Sequence, residues 1–381
     1  MKILATGYNI FNFDNGIAPQ KNGGSIMIAD ICEYLGRYND MYFFITDKIV
    51  KEKRYGTIKI LDNTYGFEEY PEYRRVKDGD QRLLCGFDHV IESINPDFVL
   101  VQTLNQFALD VIDYLEEARI KYAYVSHLFI GKNKYYSDSF SEKFEDSLYK
   151  KNDLKIITVG NGMRKRLLSE YSNIREENIY TVVNGTKIDN NSQQEPCFFN
   201  NDKRILICSG SIQPRKNQMQ LIRSIALLEK EILENLRVII IGVGSQERID
   251  SLNNEIIENG LENVVEYHEP LEAKDMSKIY SIADGLVLPS LCEGVSLVIL
   301  EALRFGKPVI MFEDNETAED VNNEDAVILV DDHSDTGLAD GIRRWYYKEW
   351  DEKRIKTYSD YFTMERVAKD YNKIIYQLVE S

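Results

Sequence analysis

The chain has 381 residues, with 46 Lys and Arg against 63 Asp and Glu, giving a formal net charge of −17 at pH 7. That balance argues against nucleic acid as a partner, because phosphate binding needs clustered basic surface, and it weakens any broad electrostatic hold on anionic lipid. No run approaches the roughly 18 apolar residues of a membrane span, and five scattered cysteines without C-x-x-C spacing argue against a disulfide framework or a structural zinc site and fit a reducing cytoplasm.

The length suits two domains of ordinary size. Residues 2–7 read as a first strand, not a signal peptide. The loop after it ends in Gly23-Gly24, ahead of a helix predicted over 25–38 with Ile26, Ala29, Ile31 and Leu35 in the apolar positions. A glycine pair there lets backbone approach a ligand with no Cβ in the way. Strands are predicted at 41–46 and 57–61, a variable excursion at 65–80, a helix at 86–93 and a buried strand at 98–102. After a helix over 107–118, the strand 121–127 ends on His127, one of only four histidines. A lone histidine at a strand end is more often structural, yet carboxyl ends of parallel strands are where open α/β sheets bind ligands. A segment at 131–138, a helix at 141–150, a strand at 156–159, a helix at 162–171 and a strand at 179–183 follow. That last strand ends at Asn184-Gly185-Thr186, and the polar run 187–202 reads as a linker.

The second half opens with a strand at 204–208 and a turn carrying Gly210, Ser211, Arg215 and Lys216, before a helix predicted over 218–231. Arg215 and Lys216 near a helix start suit phosphate oxygens, one as a planar fork and the other as a point charge. A strand at 236–241 leads to Gly242 and Gly244, where the lack of a third glycine makes a dinucleotide fingerprint weak. A strand at 264–268 and a short helix at 274–281 precede the most informative stretch, 283–310. It reads as a buried strand, a polar turn at Glu293-Gly294, a helix over 296–305 and a stop at Gly306 and Pro308. The N–H groups of Val295, Ser296 and Leu297 are first-turn donors without helical partners, and with the helix dipole they suit a diphosphate. Glu293 and Glu301 flank them as carboxylates able to take hydroxyls. One loop thus offers what a nucleotide-sugar needs. A strand at 326–330, a helix at 337–345 and an amphipathic closing helix at 364–379 complete the chain, with no convincing metal-ligand cluster.

The succession Pro289-Ser290, Glu293-Gly294, Glu301-Ala302 and Gly306-Lys307-Pro308-Val309-Ile310 resembles the donor-binding signature of retaining glycosyltransferases of family 4, which have the GT-B fold. Gly23, Gly24, His127, Asn184-Gly185 and Lys216 match places in the same family pattern. The resemblance implies an α/β protein of two doubly wound, Rossmann-like domains facing a cleft. Residues 1–186 would form the acceptor-side domain, 187–202 the linker and 203–359 the nucleotide-sugar domain, with a C-terminal helix at about 360–381 crossing back to the first domain. It implies metal-independent sugar transfer, with retained configuration, from a nucleotide-sugar (UDP-sugar favoured over GDP-sugar) to a hydroxyl of a glycan, lipid-linked or other acceptor. Cell-surface polysaccharide or glycoconjugate synthesis in a bacterial cytoplasm, with at most peripheral membrane contact, is the expected setting.

By the same resemblance, Glu301 would take the ribose hydroxyls, and Glu293 and His127 would contact the sugar. Arg215, Lys216 and the N–H groups of Val295, Ser296 and Leu297 would hold the diphosphate, with Gly23, Gly24, Gly210, Gly242, Gly244 and Gly294 bringing backbone close to the donor. Attack would come from the face the nucleotide leaves, the leaving phosphate accepting the proton, so no protein base is named. Ser211 departs from the pattern, which usually has Arg there. A glycogen- or sucrose-synthase-like transferase shares the Glu-rich loop, and a non-catalytic GT-B subunit that stabilises a partner glycosyltransferase is the alternative from a different class.

Overall fold

A computed structural model describes residues 1–7, 10–13, 17–20, 22–45, 52–62, 79–129, 139–187 and 203–381. The predicted excursion up to residue 78, the segment 131–138 and nearly all of the linker lie outside the described residues. Contacts divide the chain into two compact units: the described residues up to Asn184 together with Met364–Ser381, and Gly185–Thr363.

The first unit contains strands β1 (Lys2–Thr6), β2 (Phe11–Asn12), β3 (Ala18–Pro19), β4 (Asp40–Ile45), β5 (Glu52–Tyr55), β6 (Ile58–Asp62), β7 (Phe98–Val101), β8 (Tyr122–Ser126), β9 (Ile156–Thr158) and β10 (Ile179–Thr181). β2 and β3 form a small ribbon, and the other eight make one sheet in the order β10-β9-β8-β7-β1-β4-β6-β5. Pairing is parallel except between β5 and β6. Phe98, Val99, Leu100 and Val101 are all fully buried, as expected of a continuous apolar strand covered on both faces. The closing helix Met364–Glu380 packs against the helix Gly23–Leu35 within this unit. Asn39 Nδ2 donates to Asn372 Oδ1 at 2.7 Å, and Arg366 Nη2 donates to the Asn184 carbonyl at 3.1 Å.

The second unit holds β11 (Arg204–Ser209), β12 (Leu236–Ile241), β13 (Val265–His268), β14 (Gly285–Leu288), β15 (Val309–Phe312) and β16 (Val327–Val330), all parallel, in the order β13-β12-β11-β14-β15-β16. Its core joins Leu206, Val238, Ile240, Val287 and Ile310 to the fully buried Trp345. Trp345 dictates a glycine opposite it: a Cβ on Gly285 would lie 2.3 Å from Trp345 Nε1. The helix predicted over 218–231 is two, Gln218–Ala226 and Lys230–Asn235. Leu227 and Leu228 N–H groups turn back to Ser224 and Ile225 carbonyls, a tightened last turn that ends the first helix and lets both Leu228 and Ile232 reach the core. The helix predicted over 86–93 runs over Gly79–Ile94.

Among its parallel strands, each sheet reverses its strand order once. In the first unit the reversal lies at β1, between β4 and β7, and in the second at β11 and β14. Ligands of open α/β sheets bind outside the carboxyl ends of the strands at such points.

Candidate functional site

In the second unit the reversal brings together two loops that are far apart in sequence, one after β11 and one after β14. Gly210 leaves β11 at φ 153°, and Pro214–Lys216 forms a single tight turn before the helix Gln218–Ala226. Leu291 N–H donates to the Arg215 carbonyl at 2.8 Å, and Arg215 Nη1 donates to the Cys292 carbonyl at 3.2 Å. These bonds stitch the loops and carry Glu293 to the two cations. Glu293 accepts a short hydrogen bond from Lys216 Nζ and lies 3.3 Å from Arg215 Nη1. Both Lys216 and Glu293 are 8% exposed, so each needs a partner of opposite charge.

Burial pushes the Glu293 carboxyl up, but Lys216 and then Arg215 outweigh it and hold it below its ordinary value of 4.5. Two cations thus face the Glu293 carboxylate. Glu293, expected to face sugar, is bonded to both of the cations expected to face phosphate.

The helix Leu297–Arg304 starts beside this cluster, with Ser296 at its N-cap and no side-chain cap bond. Ser296 does not supply a free donor as expected, since its N–H goes to Thr317 Oγ1 at 3.1 Å. The N–H groups of Val295 and Leu297 have no partner among the described residues. Fully buried Thr317 also donates to the Gly294 carbonyl at 3.2 Å and receives support from Asn315 Oδ1, which accepts from Thr317 N–H at 3.0 Å. Glu316 Oε2 accepts from Glu293 N–H at 3.4 Å. Thus the loop after β15 braces the Glu293–Ser296 turn, a role that sequence reasoning missed; a short Asn-x-Thr run after a buried strand was its only signal.

Glu301 lies one turn into the same helix, where its Oε2 accepts from Tyr280 Oη at 2.8 Å. Tyr280 is buried and stacked on Phe305 with ring centroids 5.4 Å apart, so this carboxylate is held in one orientation. Gly242 and Gly244 have a packing reason beyond ligand access. A Cβ on Gly242 would fall 1.8 Å from the Gly210 carbonyl oxygen, and one on Gly244 2.9 Å from Ile212 Cβ. The loops after β11 and β12 are pressed together and joined by Ile212 N–H to the Val243 carbonyl at 2.7 Å. Ser211, in place of the usual Arg, receives a short hydrogen bond from Gln213 Nε2.

In the first unit, β8 stops at Ser126 and His127 is the next residue. Its Nε2 lies 3.1 Å from Gln102 Oε1, and burial lowers its pKa to about 4. His127 is therefore a neutral imidazole at pH 7. Gly23 and Gly24 stand within the helix Gly23–Leu35, not ahead of it, because Asn22 caps that helix by accepting from Ser25 N–H at 2.9 Å. A Cβ on Gly24 would meet only Asn22 Oδ1, at 3.6 Å. The substitution Gly24→Ala should accordingly raise stability by about 0.5–1 kcal/mol, the usual helical gain over glycine. A lowered melting temperature would mean that this turn needs glycine for packing.

Among the described residues, no group of three or more His, Cys, Asp or Glu is placed to hold a metal ion, and no helix is long and apolar enough to cross a membrane.

Two Rossmann-like α/β units, the last helix packed on the first unit, make this a GT-B protein. Over nearly its whole length the fold matches a sucrose-phosphate synthase from Thermosynechococcus elongatus, with a TM-score of 0.76, 15% identity and 99% of each chain covered. It also matches Anabaena Alr3699/HepE in complex with UDP, with a TM-score of 0.72, 16% identity, and 99% of this chain and 100% of the other covered. Residues 189–360, a little under half of the chain, match the family model described as glycosyl transferases group 1. A curated relative, the D-inositol 3-phosphate glycosyltransferase of Arthrobacter sp. (strain FB24), is 30% identical over 142 residues, which cover 37% of this chain and 34% of the relative. The matched region spans about a third of the length of such relatives, 34% and 37% for the first two.

Proposed function

We propose that the chain is a glycosyltransferase that moves a sugar, with retained configuration, from a nucleotide-sugar to an acceptor hydroxyl. The observation that carries this reading is the buried Lys216–Glu293–Arg215 cluster beside the open N–H groups of Val295 and Leu297. Two cationic side chains and open donors at a helix start suit a diphosphate leaving group, whose growing negative charge they would stabilise as the bond to the sugar breaks. Glu301, oriented by Tyr280, suits a pair of ribose hydroxyls. The acceptor hydroxyl would bond to the anomeric carbon as the carbon–oxygen bond to the β-phosphate breaks, and its proton would pass to the departing phosphate oxygen.

A UDP-sugar is the favoured donor and no metal is required in this reading. The acceptor is a glycan or lipid-linked hydroxyl, in cell-surface polysaccharide or glycoconjugate synthesis in the bacterial cytoplasm, with at most peripheral membrane contact. Ser211 favours one competing reading, a non-catalytic GT-B subunit that stabilises a partner glycosyltransferase, because it lacks the usual turn cation.

Thermal stabilisation by UDP, GDP, ADP and their common sugars, without metal, tests the proposal. A ligand at 100 times its dissociation constant should add about 2.7 kcal/mol. The expected result is a rise in melting temperature with one base, UDP first, that disappears in Glu301→Ala. No rise with any nucleotide would overturn the donor site and favour the partner subunit.

A further inference from the structure

Three elements of the first unit meet in a chain of polar groups, of which Gln102 and Cys32 have no part in the proposed function. Gln102 follows β7 and is 2% exposed. Its amide oxygen faces His127 Nε2 at 3.1 Å, and its amide nitrogen donates to Cys32 Sγ at 3.1 Å. Cys32 lies in the helix Gly23–Leu35 and is fully buried, and burial pushes its thiol up to about 12, so it stays neutral.

The primary amide is bonded at both ends, its nitrogen to the thiol and its oxygen toward the ring. With its nitrogen committed to the thiol, its oxygen is an acceptor only, and a ring nitrogen facing it must carry hydrogen. The other ring nitrogen, Nδ1, has no partner among the described residues. Gln102 is thus placed to do for His127 what second-sphere partners do for metal-bound histidines, which is to fix the tautomer through the nitrogen that the ligand does not use.

We infer that Gln102, backed by Cys32, is a positioning residue that locks His127 as the Nε2–H tautomer and leaves its Nδ1 lone pair to accept a hydroxyl hydrogen. The value of this arrangement rests on the reading of His127 as a sugar-contacting residue. A neutral acceptor suits a sugar O–H. The amide also makes the ring a poor proton acceptor, since an amide oxygen offers less to an imidazolium than a carboxylate would.

Nitrogen-15 NMR of the full-length protein, with the ring signals of His127 assigned by their loss in His127→Asn, tests this directly. The parent should show a protonated Nε2 and an unprotonated Nδ1 at pH 7. Gln102→Met, which keeps length but removes the acceptor, should give a mixture of tautomers and lower kcat more than it raises KM. Gln102→Glu should move the titration midpoint of His127 up by about 1–3 pH units, because a facing carboxylate favours the charged ring. A parent in the Nδ1–H form, or an unmoved midpoint in Gln102→Glu, would overturn the positioning role. If the spectra come out as expected while Gln102→Met transfers sugar like the parent, the positioning stands and the assignment of His127 to the sugar site falls.

Discussion

Lys216→Met should lower sugar transfer by about 10²–10³-fold, the usual cost of removing one preorganised group that stabilises transition-state charge. Transfer can be followed as nucleotide release from whichever donor stabilises the protein. The same substitution should destabilise the fold, because it leaves Glu293 buried with only Arg215, at 3.3 Å, to offset its charge. Removing one member of a buried pair costs about 3–5 kcal/mol, and the remaining contact with Arg215 places the expected loss toward the lower figure.

The two effects separate in a double variant. Lys216→Met with Glu293→Gln removes both charges, so much of the lost stability should return, while transfer stays low. Recovery of both stability and transfer would show that Lys216 acts only as a structural partner for Glu293. For the same reason Glu293→Ala is a poor first test of chemistry, since it strands two cations.

Acid adds a further check. Glu293 titrates below its ordinary 4.5 in the folded protein. Its ionised form therefore contributes stability that is fully present above 4.5 and is lost as pH falls through the lowered folded value. Lys216→Met removes the main attraction behind that lowering, so the gap in melting temperature between parent and variant should be widest near neutrality and narrow below about pH 4.5. A gap unchanged down to pH 3 would mean that the pair contributes no charge-dependent stability.

The sequence carried the site's ingredients more clearly than their partners. The run over 285–288 reads as a buried strand because all its residues are apolar or glycine, and the Gly306 and Pro308 stop marks the end of the helix at Arg304. Glu293, Glu301 and Lys216 stand out by type and spacing. The bond between Lys216 and Glu293 spans 77 residues and exists only because the strand order reverses between β11 and β14, which periodicity does not reveal. Thr317, 21 residues beyond Ser296, took the Ser296 N–H that local helix rules left open. The helix expected from residue 25 starts at Gly23 for a local reason: Asn22 is a strong helix cap. Gly242 was read through its ligand, whereas its nearest constraint is the neighbouring loop.

That constraint gives a second large expected effect on the fold. A Cβ at Gly242 would lie 1.8 Å from the Gly210 carbonyl oxygen and 2.7 Å from its carbonyl carbon. Both are backbone atoms, pinned by Gly210 N–H to the Ile241 carbonyl at 2.9 Å and by Ile212 N–H to the Val243 carbonyl at 2.7 Å. No side chain can swing aside, so Gly242→Ala must part the carboxyl ends of β11 and β12. Its cost should reach the top of the overpacking range, about 3 kcal/mol, or roughly 6–12 °C in melting temperature for a unit of this size. Nucleotide stabilisation should weaken with it, because Gly210 also lies against Lys216: a Cβ there would be 3.3 Å from Lys216 Cε. Gly260→Ala is the matched control. Gly260 has φ 66° and open space where a Cβ would go, so alanine there meets only the left-handed backbone penalty of about 1–2 kcal/mol. Nucleotide binding should survive in that variant. If Gly242→Ala melts no lower than Gly260→Ala and still answers to nucleotide, the two loops are not locked by their backbones, and the glycines after β12 are there for the ligand.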